Sequence, residues 1–481
     1  MLESVVVKKS VLFVASECNP FAGTGGLADV AGSLPPALAA TGEYDVRVVL
    51  PLYSRMDAGY RKKIRFIGNI NVPLAWRNQY CGVFSYAEGG VIYYFIDNEY
   101  YFKRDKIYGE YDDGERFAFF SRAALEIMPF LDFYPHILHC KDWQTALSVI
   151  YLKTIYNNKY KYRDIKAILT VHNIEYQGQY GYECLADLFG LPEYCRAMLD
   201  FDGCLNLLKG AMEVADKITT VSPSYAKEIL DPFFAHSLES VTGRNSYKLT
   251  GILNGIDEGA YNPKTDEKLF ATYSKTNLAG KAENTRQLQK MLGLPEREDV
   301  PMVSMITRLA VHKGLDLVKH VLEELLQQDV QFVVLGTGEA NYENFFAFLA
   351  ERYQGKMRFI AAYNKDLASK IYASSDIFLM PSKQEPCGLS QMIACRYGTI
   401  PVVRRTGGLG DSIVHVYDEG GYGYLFNNYN AHEMLFELKR AMEDYTNKPQ
   451  WKKYVKRAMS VDFSWTKSAA AYAELYDSML G

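Results

Sequence analysis

The stretch Met302-Val303-Ser304-Met305-Ile306-Thr307-Arg308-Leu309-Ala310-Val311-His312-Lys313-Gly314-Leu315 decides the fold class. Met302–Ile306 carries no charge and does not alternate, as a parallel strand covered on both faces requires. A turn holding two cations follows, and helical periodicity then runs from Leu315 to Gln327. The same strand–turn–helix unit recurs on either side. Further strands are expected at Gln331–Leu335, Met357–Ile360, Ile377–Met380 and Ile400–Val403. In the first half they fall at Val11–Ala15, Val46–Leu50, Val91–Ile96, Ala167–Val171 and Lys217–Val221, with a helix over Glu115–Met128. Strand–helix alternation of this kind argues for doubly wound α/β sheets.

With 481 residues, and ~100–200 residues to a domain, two sheets are favoured over one very wide one. The stretch Asp257–Asp299 is polar and rich in Lys, Asn and Glu, and it follows a turn at Asn254-Gly255. It divides the chain into a domain over 1–254, a linker over 255–300 and a domain over 301–465. Two such domains usually bind a ligand in the cleft between them.

Composition narrows the function. Hydrophobic residues make up 48% and charged residues 23%, the balance of a soluble globular protein. The net charge of −4 lacks the basic excess of a nucleic-acid binder, so no nucleic-acid partner is expected. No apolar run reaches the ~18–20 residues of a membrane span. The N-terminal sequence MLESVVVKKSVLFVASECNP reads as a first strand, not a signal peptide. The eight cysteines are scattered, with no C-x-x-C pair and no zinc spacing, which fits a reducing, cytoplasmic setting. The 37 tyrosines can stack on sugars or bases, or simply fill cores and interfaces.

Candidate chemistry collects in the turns that follow the strands. Arg308 and Lys313 offer a planar fork and a point charge, a pair suited to a diphosphate and equally compatible with a solvated surface. As a loop residue, Lys313 is expected to be replaceable without harm to folding. Glu385, in Glu385-Pro386-Cys387-Gly388-Leu389-Ser390, can stabilise positive charge developing on a sugar ring or bind hydroxyls. Cys387 has no base beside it in sequence and reads as a packed thiol. Thr24-Gly25-Gly26-Leu27-Ala28-Asp29 and Thr406-Gly407-Gly408-Leu409-Gly410-Asp411 echo one another after strands in the two halves. Both are glycine turns whose amides can hold anionic oxygens, or tight turns without a ligand. Neither is a G-x-G-x-x-G fingerprint or a P-loop. His172-Asn173 and Asp142-Trp143 each follow a strand, and each taken alone reads as readily as a structural histidine or a helix cap.

Taken together, TGGLADV, KDWQTA, VHNIEYQG, VSPSYAKEI, LNGID, RLAVHKGLDL, LGTGE, PSKQEPCGLSQ and YGTIPVVRRTGGLGDSI resemble the bacterial glycogen synthases and plant starch synthases, glycosyltransferase family five. The resemblance runs in order from about Val11 to Trp465. It implies a GT-B fold, two Rossmann-like domains facing a deep cleft, with a final helix over 466–481 crossing back to the first. It implies retaining transfer of glucose from ADP-glucose to the non-reducing end of an α-1,4-glucan such as glycogen or maltodextrin. Neither a cofactor nor a metal ion is implied, and a homo-oligomer is compatible with the group.

By the same resemblance, Arg308 and Lys313 match the cations that neutralise the departing diphosphate. Glu385, His172 and Asp142 match catalytic-cleft residues, the first two beside the transferred glucose. Asn254 matches a sugar contact and Tyr363 a tyrosine near the nucleotide, while Gly407 and Gly408 match the turn that meets the phosphates. Thr24, Gly25, Gly26, Asp29, Cys387, Gly388, Leu389 and Thr406 complete the substrate-binding set. A covalent carboxylate intermediate and a front-face route, in which the departing phosphate helps deprotonate the acceptor, both remain open.

One position departs from the family pattern. Gly23 stands where Lys usually precedes Thr-Gly-Gly-Leu. Gly23→Lys is therefore expected to add a contact to the donor phosphates, unless the glycine serves the backbone. A UDP-glucose-dependent GT-B enzyme and a non-catalytic glucan-binding relative are the alternatives. A phosphorylase lacks its pyridoxal-phosphate segment here, and an NAD-dependent oxidoreductase lacks its glycine fingerprint.

Overall fold

The computed structural model describes residues 8–481, so the VVV run at 5–7 lies outside the described residues. The chain forms two compact units. The first runs to Val221, resumes over Ala226–Ile252 and ends with Trp465–Gly481, while the second comprises Ser222–Tyr225 and Leu253–Ser464.

The first unit is built on strands β1 (Lys9–Val14), β2 (Tyr44–Pro51), β3 (Arg65–Leu74), β4 (Arg77–Glu88), β5 (Val91–Asp97), β6 (Ile137–Lys141) and β7 (Lys166–Val171). A small sheet of β8 (Gln179–Tyr180), β9 (Asp200–Phe201) and β10 (Cys204–Asn206) comes next, then β11 (Lys217–Thr220) and β12 (Leu249–Gly251). The large sheet has the order β12-β11-β7-β6-β1-β2-β5-β4-β3. Its central strands are parallel, and β3 and β4 add an antiparallel edge. The direction of winding reverses between β1 and β6, the place where open α/β sheets hold ligands. The parallel strands are apolar on both faces because helices such as Gly26–Ala39 and Asp113–Leu131 cover them. The edge hairpin escapes the sequence reading because much of β3 is exposed and its pattern is mixed.

The last helix, Trp465–Leu480, belongs to this first unit. Trp465, Ala469, Tyr472 and Tyr476 enter the core beside Val11, Phe13, Leu34 and Leu38. Polar contacts fix its register: Asp477 Oδ1 accepts from Lys9 Nζ at 2.6 Å and from Tyr44 Oη at 2.8 Å. Tyr476 Oη lies 2.7 Å from Nδ1 of the fully buried His139, whose Nε2 is 2.5 Å from Thr170 Oγ1. Burial holds His139 well below the usual histidine range.

The second unit contains β13 (Met302–Ile306), β14 (Gln331–Leu335), β15 (Met357–Ile360), β16 (Ile377–Met380), β17 (Ile400–Arg404) and β18 (Tyr424–Phe426). The order β15-β14-β13-β16-β17-β18 is parallel throughout, with its switch point between β13 and β16. The polar stretch that reads as a linker is folded onto this unit. Its helix Ala279–Leu292 packs beside helix Lys365–Ser374. Lys281 is buried there, donating to the carbonyls of Ala373, Ser375 and Tyr397 and to Thr399 Oγ1. Polar composition suggested a tether because these buried polar groups are satisfied by partners about ninety to a hundred and twenty residues away.

Tyr476→Phe should leave one nitrogen of the buried His139 without its partner. A loss of about 1–3 kcal/mol is expected, read as a lower urea midpoint for the first unit. An unchanged midpoint would show that the pair adds nothing to the docking of this helix.

Candidate active site

In the second unit, the turns after β13, β16 and β17 meet at the switch point. The turn after β13 makes one 3₁₀ turn, Val311–Lys313, and is closed by Gly314 at φ +73°. A Cβ on Gly314 would lie 2.0 Å from the Pro381 carbonyl oxygen, so only glycine lets the two loops touch. This contact brings Lys313 Nζ to 2.7 Å from Glu385 Oε2, across 72 residues of sequence. Ser382 Oγ donates to the same oxygen at 2.9 Å. Lys313 is thus held in a largely buried ion pair, which corrects the expectation that it can be replaced without harm to folding. Arg308 is exposed and forms no ion pair among the described residues.

The glycine turn after β17 closes the other side. Gly407 has φ +42°, and Cβ atoms at 407 and 408 would lie 2.1 Å from the carbonyl oxygens of Glu385 and Cys387. Gly408 N–H donates to the carbonyls of Glu385 and Pro386 at 3.2 and 3.1 Å. Thr406 is buried at the start of the short helix Gly407–Ser412. Cys387 is buried and burial pushes its thiol up to about 12, so it packs and does not act as a nucleophile. Asn254 lies against that thiol and is buried, with Oδ1 unpartnered. Gly388 has φ +72°, and Leu389 precedes helix Ser390–Arg396. Gln391, which the sequence reading passed over, ties the loop together: its Nε2 donates to the Cys387 and Gly388 carbonyls and to Ser412 Oγ. Ser224 N and Oγ donate to Asp411, and Ser222 Oγ to the Pro386 carbonyl, which explains the VSPSY motif as a brace on the same loops. Tyr363 stands apart after β15, highly exposed.

In the first unit, the turns after β1, β6 and β7 converge. Asp142 ends the β6 turn at φ +56°, a strained backbone for a non-glycine residue, and heads helix Trp143–Thr154. Its Oδ1 accepts from the His172 N–H at 2.6 Å. Burial pushes its carboxyl up to about 7, against the pull of that N–H and of Lys141. Burial, reinforced by Lys141, holds His172 well below the usual range, so it is neutral, and its Nε2 is buried and unpartnered. Lys141 is itself fully buried, 5.3 Å over the Phe13 ring, and burial brings it down to about 7. Gly178 at φ +66° leaves room for the Trp143 indole, against which a Cβ would fall at 2.6 Å.

The first glycine turn is anchored by a residue not singled out from sequence. Glu17 is buried in the turn after β1, and its Oε2 accepts from Thr24 N at 2.7 Å and Thr24 Oγ1 at 2.8 Å. Gly25 and Gly26 are exposed, with open space where a side chain would begin. Asp29 accepts from Asn19 Nδ2 at 2.6 Å, which gives it a role in holding the turn. Gly23 does not have positive φ, but a Cβ there would lie 2.5 Å from Asn19 Oδ1 and 2.7 Å from the buried Ala28 Cβ. Crowding, not backbone conformation, selects glycine.

Comparison with known proteins agrees across the chain. The family model of the starch synthase catalytic domain matches residues 10–243, and that of glycosyl transferases group 1 matches residues 289–458. A glycogen synthase of Bacillus cereus is 49% identical over 476 residues, covering 98% of this chain and all of its own. The catalytic domain of starch synthase IV from Arabidopsis thaliana, solved with ADP and acarbose, superimposes with TM-score 0.91 at 34% identity, over 98% of this chain and 100% of that one. Sucrose-phosphate synthase from Thermosynechococcus elongatus shares the fold alone, at TM-score 0.61 and 16% identity over 98% and 99% of the two chains. The chain belongs to the glycogen and starch synthase family, glycosyltransferases of the GT-B fold.

Proposed function

We propose that the chain transfers glucose from ADP-glucose to the non-reducing 4-hydroxyl of an α-1,4-glucan, glycogen or maltodextrin, with retention at the anomeric carbon. The observation that carries the reading is the Lys313–Glu385 pair, set at 2.7 Å beside a glycine turn that opens a helix. A nucleoside diphosphate takes up negative charge as the glucose C1–O bond breaks and the electron pair leaves with the phosphate. Lys313 and the exposed Arg308 supply cations for that charge, and the Gly407-Gly408 turn lies beside them. The new bond joins acceptor O4 to C1, and the O4 proton passes to the departing phosphate oxygen. Glu385 faces the charge that develops on the sugar ring. The neutral His172, with Nε2 unsatisfied, suits a sugar hydroxyl, and Asp142 holds the backbone of that histidine. An adenine donor is supported by the ADP in the starch synthase IV structure.

The donor is tested by comparing transfer to glycogen from ADP-glucose and UDP-glucose. Faster turnover of ADP-glucose is expected, and a preference for UDP-glucose would reassign the donor. Binding of maltodextrin with no turnover of either would make the chain a glucan-binding relative.

Lys313→Ala should lower kcat/KM for ADP-glucose by at least ~100-fold, the scale of losing one stabiliser of transition-state charge. It also strips Glu385 of its cation, so stability should fall by about 1–3 kcal/mol. Wild-type kinetics would remove Lys313 from the mechanism.

Gly23→Lys, read from sequence as a gain in donor affinity, now carries the opposite expectation. Its Cβ has no room against Ala28, and overpacking of this kind costs about 1–3 kcal/mol. The variant should melt lower and show no fall in KM for ADP-glucose; a lower KM at unchanged melting temperature would restore the phosphate-contact idea.

A further inference from the structure

The loop that presents Glu385 is restrained by a buried cation that the proposed chemistry does not use. Arg404 is the last residue of β17, with 8% of its surface exposed. Its Nε donates to the Ser382 carbonyl at 2.9 Å and its Nη2 to the Lys383 carbonyl. Ser382 Oγ donates in turn to Glu385 Oε2, the oxygen that also takes Lys313 Nζ. β16 has ended at Met380, so no strand ladder holds this turn. One planar guanidinium spans two successive carbonyls, a geometry that lysine, with a single ammonium, does not reproduce.

We propose that Arg404 is a positioning residue for glucosyl transfer: by tying the carbonyls of Ser382 and Lys383 it fixes the turn from which Ser382 and Glu385 are aimed, and so sets where the carboxylate meets the sugar. This rests on the reading of Glu385 and Lys313 given above. Arg404 acts through Glu385 and not on the substrate. Small displacements suffice for an effect, because a misplacement of ~1 Å at a reacting centre costs on the order of 100-fold in rate.

A double-mutant cycle between Arg404→Gln and Glu385→Gln tests this, with kcat, KM for ADP-glucose and the affinity for ADP alone as readouts. Arg404→Gln is expected to lower kcat by roughly 10- to 100-fold while ADP affinity stays within about threefold, since the phosphate-facing cations and glycine turn are kept. Arg404→Lys, which keeps one donor, should recover part of kcat. In the Glu385→Gln background, Arg404→Gln should cause no further loss, because the two act as one unit. A wild-type kcat for Arg404→Gln, or losses that multiply, would overturn the proposal and leave Arg404 as a cap on its strand. Should Arg404→Gln fail to fold, Arg404→Lys takes its place in the cycle with the same criteria. The two failures are separable: full activity in Glu385→Gln alone refutes the role of Glu385, and Arg404 with it. An inactive Glu385→Gln with multiplying losses refutes only Arg404.

Discussion

The candidate cluster in the second unit depends on main chains that touch. Where the turns after β13, β16 and β17 meet, Gly314, Gly407 and Gly408 sit so close to neighbouring carbonyls that a single methyl group would part them. The same holds one loop further out, where Gly336 and Gly338 lie against Thr307 and Leu309. Direct backbone contact turns separate loops into one rigid surface. Lys313 and Glu385 meet there without a strand or helix in common, and the N–H of Gly408 is spent on holding the loop that carries Glu385. Gly314, Gly336, Gly338, Gly407 and Gly408 are thus one device: each removes a Cβ that would hold two loops apart.

The candidate cluster in the first unit is shaped by burial and field. Asp142, His172 and Lys141 share a poorly solvated pocket of charge in which the imidazole is held neutral. A neutral imidazole with one nitrogen unsatisfied is a sound partner for a hydroxyl and a poor one for a phosphate. The two candidate clusters therefore differ in kind: the one in the second unit pairs a cation with a carboxylate, and the one in the first holds a neutral imidazole among buried groups.

Much of this was legible in the chain itself. Strands such as Ala167–Val171 and Ile377–Met380 declare themselves because both faces are buried, which leaves an uninterrupted apolar run. The glycine turns of the second unit declare themselves because only one residue type fits at Gly314, Gly407 and Gly408. The β3–β4 hairpin stays hidden because exposure blurs its alternation, and residues 255–300 read as a tether because their buried lysine and asparagine find partners only in three dimensions. Glu17 and Arg404 escape notice for a related reason. Arg404 lies within a quoted motif and Glu17 seven residues before one, yet what each does is set by hydrogen bonds that sequence order does not reveal.

The placement of helix Trp465–Leu480 in the first unit has a consequence for how the protein is made. Residues 9 to 252 leave the ribosome with Phe13, Leu34 and Leu38 not yet covered by Tyr472, Tyr476 and their neighbours. The second unit, whose strands all lie between 302 and 426, is available in full before that cover arrives. Biosynthesis thus reverses the usual N-to-C order of domain completion. A chain released early would carry a finished second unit and an uncovered apolar patch on the first, the kind of surface that chaperones and proteases recognise.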